Sequence, residues 1–198
     1  CMETGLTVDP SIYQHGFGCW ANGALAFADL VRGPSSTSGN VEQRAYYLAR
    51  LTIDYLVRLG WDFDWIIIED QVIRERSKAR SLLILHMAAH VFGFEAQKQW
   101  PNARIIYRIP EDWKHTMQKP ACADQCRRFL TPLEIASIND PRYRPEWRLC
   151  KKFGKDFLED YFDQWDGIGI GMSHLGRGFS TGGLTRAGGN RPRRRRRG

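Results

Sequence analysis

No apolar run in the 198 residues approaches the ~20 that a membrane helix needs. The N-terminus lacks a basic stretch leading into an apolar one, so no secretory signal is read. Cysteine is scarce and irregularly placed. Cys1, Cys19, Cys122, Cys126 and Cys150 are odd in number, which argues against a disulfide framework. The expectation is an intracellular protein with free thiols. A zinc site built from Cys122 and Cys126 with His115 or Cys150 is the alternative, weakened by the lack of a second close ligand pair. Acid is missing from one end. Residues 186–198 hold seven arginines (Arg186, Arg191 and Arg193 through Arg197) and no Asp or Glu, while the rest has 22 basic and 22 acidic residues. The formal charge of +7 is therefore the charge of a tail. Residues 179–198 are Gly- and Arg-rich and are expected to be disordered. They read as a solubility or targeting segment, or as a phosphate-binding arm working by counterion release.

What remains is a body long enough to bury a core, and residues 1–178 are read as one domain. Residues 5–32 break into three strand-like runs, the last two joined by Asn22-Gly23, a pair suited to a tight hairpin. Apolar residues from Val41 to Leu59 recur at helical spacing, with Asn40 as N-cap and Gly60 as stop. Trp65-Ile66-Ile67-Ile68 fits a strand buried on both faces and ending at Glu69. A second long helix is expected from about Arg74 to Phe92, stopped by Gly93, and a further strand over residues 104–109. Residues 117–147, rich in Pro and charge, read as an irregular insertion. A helix begins in KKFGKDFLEDYF and a further one covers 167–175. Hairpin strands followed by alternating strands and helices predict a mixed sheet flanked by helices.

Four carboxylates stand where chemistry can use them. Asp9 follows the apolar residues of the first strand, Glu69 ends the Ile-rich strand, and Asp163 and Asp166 share one helical face. Each alone fits a solvated strand end or helix surface. Brought together at adjacent strand ends, they would repel one another and call for divalent cations, and oxygen-only ligands suit Mg²⁺ or Mn²⁺. His86 and His90, one helical turn apart, are a possible metal pair, but an interior helical face is the expectation for them.

The order and local sequence of the four acids resemble the RuvC family of Holliday junction resolvases. GLTVDPSIYQHGFGCW is similar to that family's first motif, a strand ending in Asp-Pro-Gly before a Gly-rich second strand, with Ser11 in place of the Gly. RLGWDFDWIIIE resembles the second, a buried strand ending in Ile-Glu. DQWDGIGIGMSH resembles the last, Asp-x-x-Asp followed by small and apolar residues and a His, with Gly167, Gly169 and Gly171 where Ala is usual. The glycines cost ~1 kcal/mol each in a helix interior, and they permit close approach of the helix to the sheet.

The resemblance implies an α/β fold with an RNase H-like five-stranded mixed sheet, and a metal-dependent endonuclease that makes paired nicks with 5′-phosphates in four-way DNA junctions. It implies two Mg²⁺ ions, with Mn²⁺ able to substitute, held by Asp9, Glu69, Asp163 and Asp166. IPEDWKHTM is similar to the family's Pro-x-x-x-Lys segment and makes Lys114 a candidate catalytic lysine. Lys155 is the second candidate, on the helix leading to Asp163. Gln71, Ile73, Arg74, Arg76, Lys78, Arg80, Lys151 and Lys152 become candidate DNA contacts, against the plainer reading of a solvated helix start. His174 reads as a partner of a metal-bound carboxylate or as a helix-end histidine favoured by the dipole. The implied partners are branched DNA and a second copy of the chain, with no membrane. Other RNase H-like activities on flaps, hybrids or transposon ends stay open, as do a non-catalytic junction-binding protein and a basic-tailed packaging protein.

Deleting residues 186–198 is expected to weaken DNA binding and flatten its salt dependence, since each lost phosphate contact removes ~0.9 from the log–log slope. Affinity measured across a salt series checks this; unchanged binding at low salt would assign the arginines to another task.

Overall fold

Asn22 and Gly23 both take positive φ, 50° and 77°. That mirror-image turn matches the twist of the strands it joins. It connects the antiparallel strands β2 (Gln14–Ala21) and β3 (Ala24–Arg32), and β2 also pairs antiparallel with β1 (Thr4–Pro10). The computed structural model describes residues 2–33, 39–71, 79–115, 117–139 and 162–179. Helix α1 (Val41–Arg58) follows, opened by a reciprocal capping box between Asn40 and Gln43. Strand β4 (Trp65–Glu69) then enters beside β1 in parallel, and β5 (Arg104–Arg108) extends the sheet in parallel beyond it. The result is a five-stranded mixed sheet in the order β3-β2-β1-β4-β5. This is the sheet that the strand pattern predicts.

Alternation along the strands sorts the core into two layers. Leu6 and Val8 of β1 and Ile66 and Ile68 of β4 face α1 and α2 (Ala79–Gln99), where they meet Ile53, Leu56, Ala89 and Phe92. Trp65 and Ile67 point the other way. They pack with Trp165, Ile168 and Ile170 of the last described helix, here called α5 (Phe162–His174), and with Cys122 and Cys126 of α3 (Lys119–Phe129). β4 is thus buried on both faces, which is why its sequence shows no polar alternation.

Three expectations need correction. Helix α2 does not stop at Gly93 but runs on to Gln99. A Cβ at Gly93 would run into the Tyr107 hydroxyl, so this glycine serves close packing on β5 rather than termination. The described part of the 117–147 segment is not irregular: α3 starts at the Lys119-Pro120 step and α4 (Pro132–Ala136) is capped by Thr131. Beyond α4, Ile138 forms a parallel bridge to Ala28 on the outer strand β3. The helix expected over 167–175 begins earlier, at Phe162, so that both of its acids lie within it. The expected helix start at 151–161 and the tail from 180 lie outside the described residues.

Helix α5 crosses the sheet at very short range. A Cβ at Gly16 would lie on the Asp163 backbone carbonyl, and one at Gly171 would lie inside the Trp20 indole. Gly167 would bring a Cβ to 2.9 Å from the Gly16 carbonyl oxygen. Trp20 itself is fixed by its indole N–H donating to Thr7 at 2.9 Å. The helix-interior glycines therefore exchange propensity for contact. Gly16→Ala is expected to lift α5 and cost about 1–3 kcal/mol, the usual range for overpacking a filled site. Chemical denaturation measures this; a loss below ~0.5 kcal/mol would mean that α5 is not seated on Gly16.

Candidate metal centre

The register of two parallel strands places the first pair of acids. Val8 pairs with Ile68, so Asp9 and Glu69 come next, side by side at the same edge of the sheet. Both share the strand face of Thr7 and Ile67, which looks toward α5. The close seating of α5 on Gly16 then brings its first turn over that edge, adding Asp163 and, three residues on, Asp166. One carboxylate oxygen from each of Asp9, Asp163 and Asp166 lies within 4.8 Å of the others. The four acids border one cleft of about 310 Å³ with Gln71, Lys114 and Lys119.

The loop after β1 is held by Ser11. Its hydroxyl accepts from the Tyr13 and Gln14 amides at 3.1 and 3.0 Å and donates to the Gln14 carbonyl at 2.8 Å. Ser11 does not take positive φ, so a glycine is not required there. Behind the loop, His15 is fully buried. Its Nε2 donates to the Ser11 carbonyl at 3.1 Å and its Nδ1 lies 3.0 Å from the Thr52 hydroxyl oxygen. Burial pushes this imidazole down to about 3, so it stays neutral.

Two lysines answer the four acids. Lys114 Nζ lies 3.0 Å from Asp166 Oδ2 and 3.5 Å from Glu69 Oε2. Lys119, at the start of α3, pairs with Asp163 and stands 3.6 Å from Asp166 Oδ2. Neutral donors complete the support. Trp113 Nε1 donates to Glu69 Oε2 at 3.2 Å, Gln71 Nε2 to Glu69 Oε1 at 3.0 Å, and Gln14 Nε2 to Asp163 Oδ2 at 2.7 Å.

Four carboxylates against two ammonium groups leave two negative charges in excess, and the ionisation of the site reflects it. Burial, then repulsion from Glu69, Asp163 and Asp166, holds Asp9 well above the ordinary carboxylate range, with Lys119 opposing. Burial pushes Glu69 up to about 7, Lys114 pulling against it and Asp166 adding to it. Burial alone would lower the two lysines, yet the surrounding carboxylates keep both above the usual ammonium value. Asp166 is 1% exposed, and its Oδ1 has no hydrogen-bond donor among the described residues. A buried carboxylate oxygen without a donor is costly unless a cation comes to it. The donor set is all oxygen. These residues fit hard divalent cations.

Several expected residues fall elsewhere. His174 ends α5, eight residues or about 12 Å along the axis from Asp166. It packs on Trp65 with ring centroids 4.9 Å apart, and its Nδ1 faces Arg108 Nη2 at 3.4 Å. It does not join the acids. Burial and the nearby Arg108 and Arg104 lower its pKa, so the helix-end charge is not favoured either. Arg80 is exposed on the first turn of α2. Ile73, Arg74, Arg76, Lys78, Lys151, Lys152 and Lys155 lie outside the described residues. Cys19, Cys122 and Cys126 are buried free thiols, and His115 is exposed, so His115 does not join Cys122 and Cys126 in a zinc cluster.

Lys119, Trp113 and Gln14 are the contacts that sequence reasoning missed. The signal for Lys119 was present. A Lys-Pro step followed by Cys122, Ala123, Cys126 and Leu130 at helical spacing marks a helix start facing the core.

No protein-family model matches the chain, and no curated protein matches it in sequence. Among solved structures it is similar to Thermus thermophilus RuvC in complex with a Holliday junction substrate, at 17% identity and a TM-score of 0.50. That match covers 86% of this chain and 92% of the other. A second Thermus thermophilus RuvC structure aligns at 14% identity over 89% and 99% of the two chains, with a TM-score of 0.44. The fold is RuvC-like. Within this RuvC-like fold the cleft sits where β1, β4 and α5 converge, and Lys114 and Lys119 line it beside the acids.

Removing a competing ammonium should free Asp163 and Asp166 for an ion. Lys119→Ala is expected to tighten Mn²⁺ binding several-fold while lowering any activity that uses the lysine. Calorimetric titration reads the affinity, and weaker Mn²⁺ binding in the variant would contradict the assignment of Lys119 as a competitor.

Proposed function

We propose that this chain is a metal-dependent endonuclease that resolves four-way DNA junctions by paired nicks. The observation that carries the reading is the convergence of four carboxylates and two lysines on one sheet edge of a RuvC-like fold. Asp9, Glu69, Asp163 and Asp166 would hold two Mg²⁺ ions, or Mn²⁺ in their place. Ions bound there supply Lewis acidity for a phosphodiester and lower the pKa of the attacking water.

The chain's own residues do the rest. Gln14, Gln71 and Trp113 hold the carboxylates in place by donating to them, so the ligands are pre-set. Lys114 and Lys119 stand beside the acids and line the cleft, where their ammonium groups would face a phosphate lying in it. Positive charge aimed at the phosphate stabilises the transition state more than the ground state. Gln71 lines the cleft; Gln71 and Ile73 are the proposed neighbours of the strand being cut, and Arg74, Arg76, Lys78 and Arg80 the proposed backbone contacts. The arginines of residues 186–198 add affinity by contacting phosphates.

A four-way junction offers two equivalent strands, and one site cannot reach both at once. The proposed assembly is a two-fold homodimer. The layer formed by α1 and α2 supports it, since Tyr46, Leu83 and Phe94 are 52%, 54% and 63% exposed there.

The test is a synthetic four-way junction incubated with and without Mg²⁺ and resolved on a denaturing gel. Wild type is expected to nick symmetrically only with Mg²⁺. Asp9→Asn, Glu69→Gln and Asp166→Asn are each expected to reduce cleavage at least a hundredfold (roughly 2.7 kcal/mol) while still binding the junction. Mixing wild type with Asp9→Asn should give singly nicked junctions. Equal cleavage of linear duplex, or full activity in Asp9→Asn, would remove the reading.

A further inference from the structure

Glu69 and Asp70 are neighbours in sequence and face opposite sides of the sheet. Glu69 looks toward α5 and the acidic cleft. Asp70 continues past β4, its amide donating to the Arg108 carbonyl at 2.8 Å, and turns its carboxylate toward α2. There it meets two imidazoles. His86 Nδ1 lies 2.7 Å from Asp70 Oδ1, and His90 Nε2 lies 3.2 Å from Asp70 Oδ2. The expectation that His86 and His90 form an interior helical face is not met: their side chains are 42% and 47% exposed.

We infer that Asp70, His86 and His90 form a second metal site, selective for a borderline transition ion such as Zn²⁺ and separate from the acidic cleft. Geometry carries this first. Residues four apart stand one above the other on a helix, so both rings project toward the same point. One ligand atom from each of the three residues lies within 4.8 Å of the other two. Around a tetrahedral ion with bonds of about 2.05 Å, neighbouring ligand atoms stand about 3.3 Å apart. The two observed separations, 2.7 and 3.2 Å, need only small adjustments to reach that.

The ligands are also held in advance. The His90 ring stacks on Tyr107 at a centroid distance of 4.4 Å and an angle of 17°, and the two imidazole centroids are 4.3 Å apart. Gly93 gives Tyr107 the room to lie across α2. The Asp70 side chain is 13% exposed, and its Oδ1 also accepts from the Gln71 amide at 2.8 Å. Such a carboxylate is anchored, while the two histidine side chains are each nearly half exposed. Each imidazole presents to the ion the nitrogen now facing Asp70, its proton moving to the other ring nitrogen.

Chemistry then sets the ion. Two imidazole nitrogens and one carboxylate suit zinc, whereas Mg²⁺ prefers oxygen ligands and its own waters. The site ties the end of β4 to α2 and leaves a fourth position for water. It is independent of the nuclease reading.

The test is calorimetric titration of the full-length, tag-free chain with Zn²⁺ after chelator treatment and with Mg²⁺ in large excess, beside thermal melting. One Zn²⁺ per chain is expected to bind without displacement by Mg²⁺, and to raise the melting midpoint. His86→Gln and His90→Gln are each expected to weaken it about a hundredfold, a ligand loss exceeding the usual supporting-residue effect. Asp9→Asn should leave zinc binding unchanged. Three outcomes overturn the site: no zinc bound under excess Mg²⁺, unchanged affinity in both histidine variants, or affinity lost in Asp9→Asn but kept in the histidine variants.

Discussion

Repulsion among four carboxylates is the constraint around which this molecule is arranged. Asp9 and Glu69 are set side by side by the parallel pairing of β1 and β4, and α5 then adds two more negative groups above them. Nothing in an apolar core tolerates such a grouping unless charge is supplied. Several neighbours of the cleft answer that demand. Lys114 and Lys119 bring positive charge, and Trp113, Gln71 and Gln14 bring N–H donors. The remaining excess is absorbed by the raised proton affinity of Asp9 and Glu69. Such an arrangement is poor for stability, and that is the mark of a site kept for binding.

Close packing is what makes the arrangement reachable. Glycines at 16, 167 and 171 remove the side chains that would hold α5 away from the sheet. Each is unfavourable to its own strand or helix, and together they lower the acids of α5 onto those of the strands. Local propensity is sacrificed where function needs proximity.

Most of the fold was legible because its signals are local. Asn22-Gly23 encodes its own turn, Asn40 its own cap, and the Trp65–Ile68 run its burial on both faces. The four acids were legible through their order and the motifs around them. Other features depended on contacts across the chain. Gly93 has the appearance of a helix stop, and only Tyr107 on a distant strand explains why the helix continues. His86 and His90 fit an interior face by spacing alone, because the carboxylate that draws them outward is Asp70, sixteen residues before the first of them. The helical spacing after Lys119 was legible too, but the Pro and charge around it drew the reading toward an irregular insertion, and only the fold shows that α3 brings this lysine to Asp163.

The bridge between Ala28 and Ile138 has a bearing on solubility. β3 is the outermost strand on its side, and an outer strand exposes a row of unpaired amides and carbonyls to any other strand in solution. Ser137 and Asn139 take part in the same cover: Ala28 donates to the Ser137 carbonyl at 3.3 Å, and the Asn139 amide donates to Ala28 at 2.8 Å. The α3–α4 segment therefore guards an edge as well as delivering a lysine. A chain pared back to its five strands and two-layer core would lose that guard. It would be prone to join its neighbours edge to edge and leave solution as aggregate.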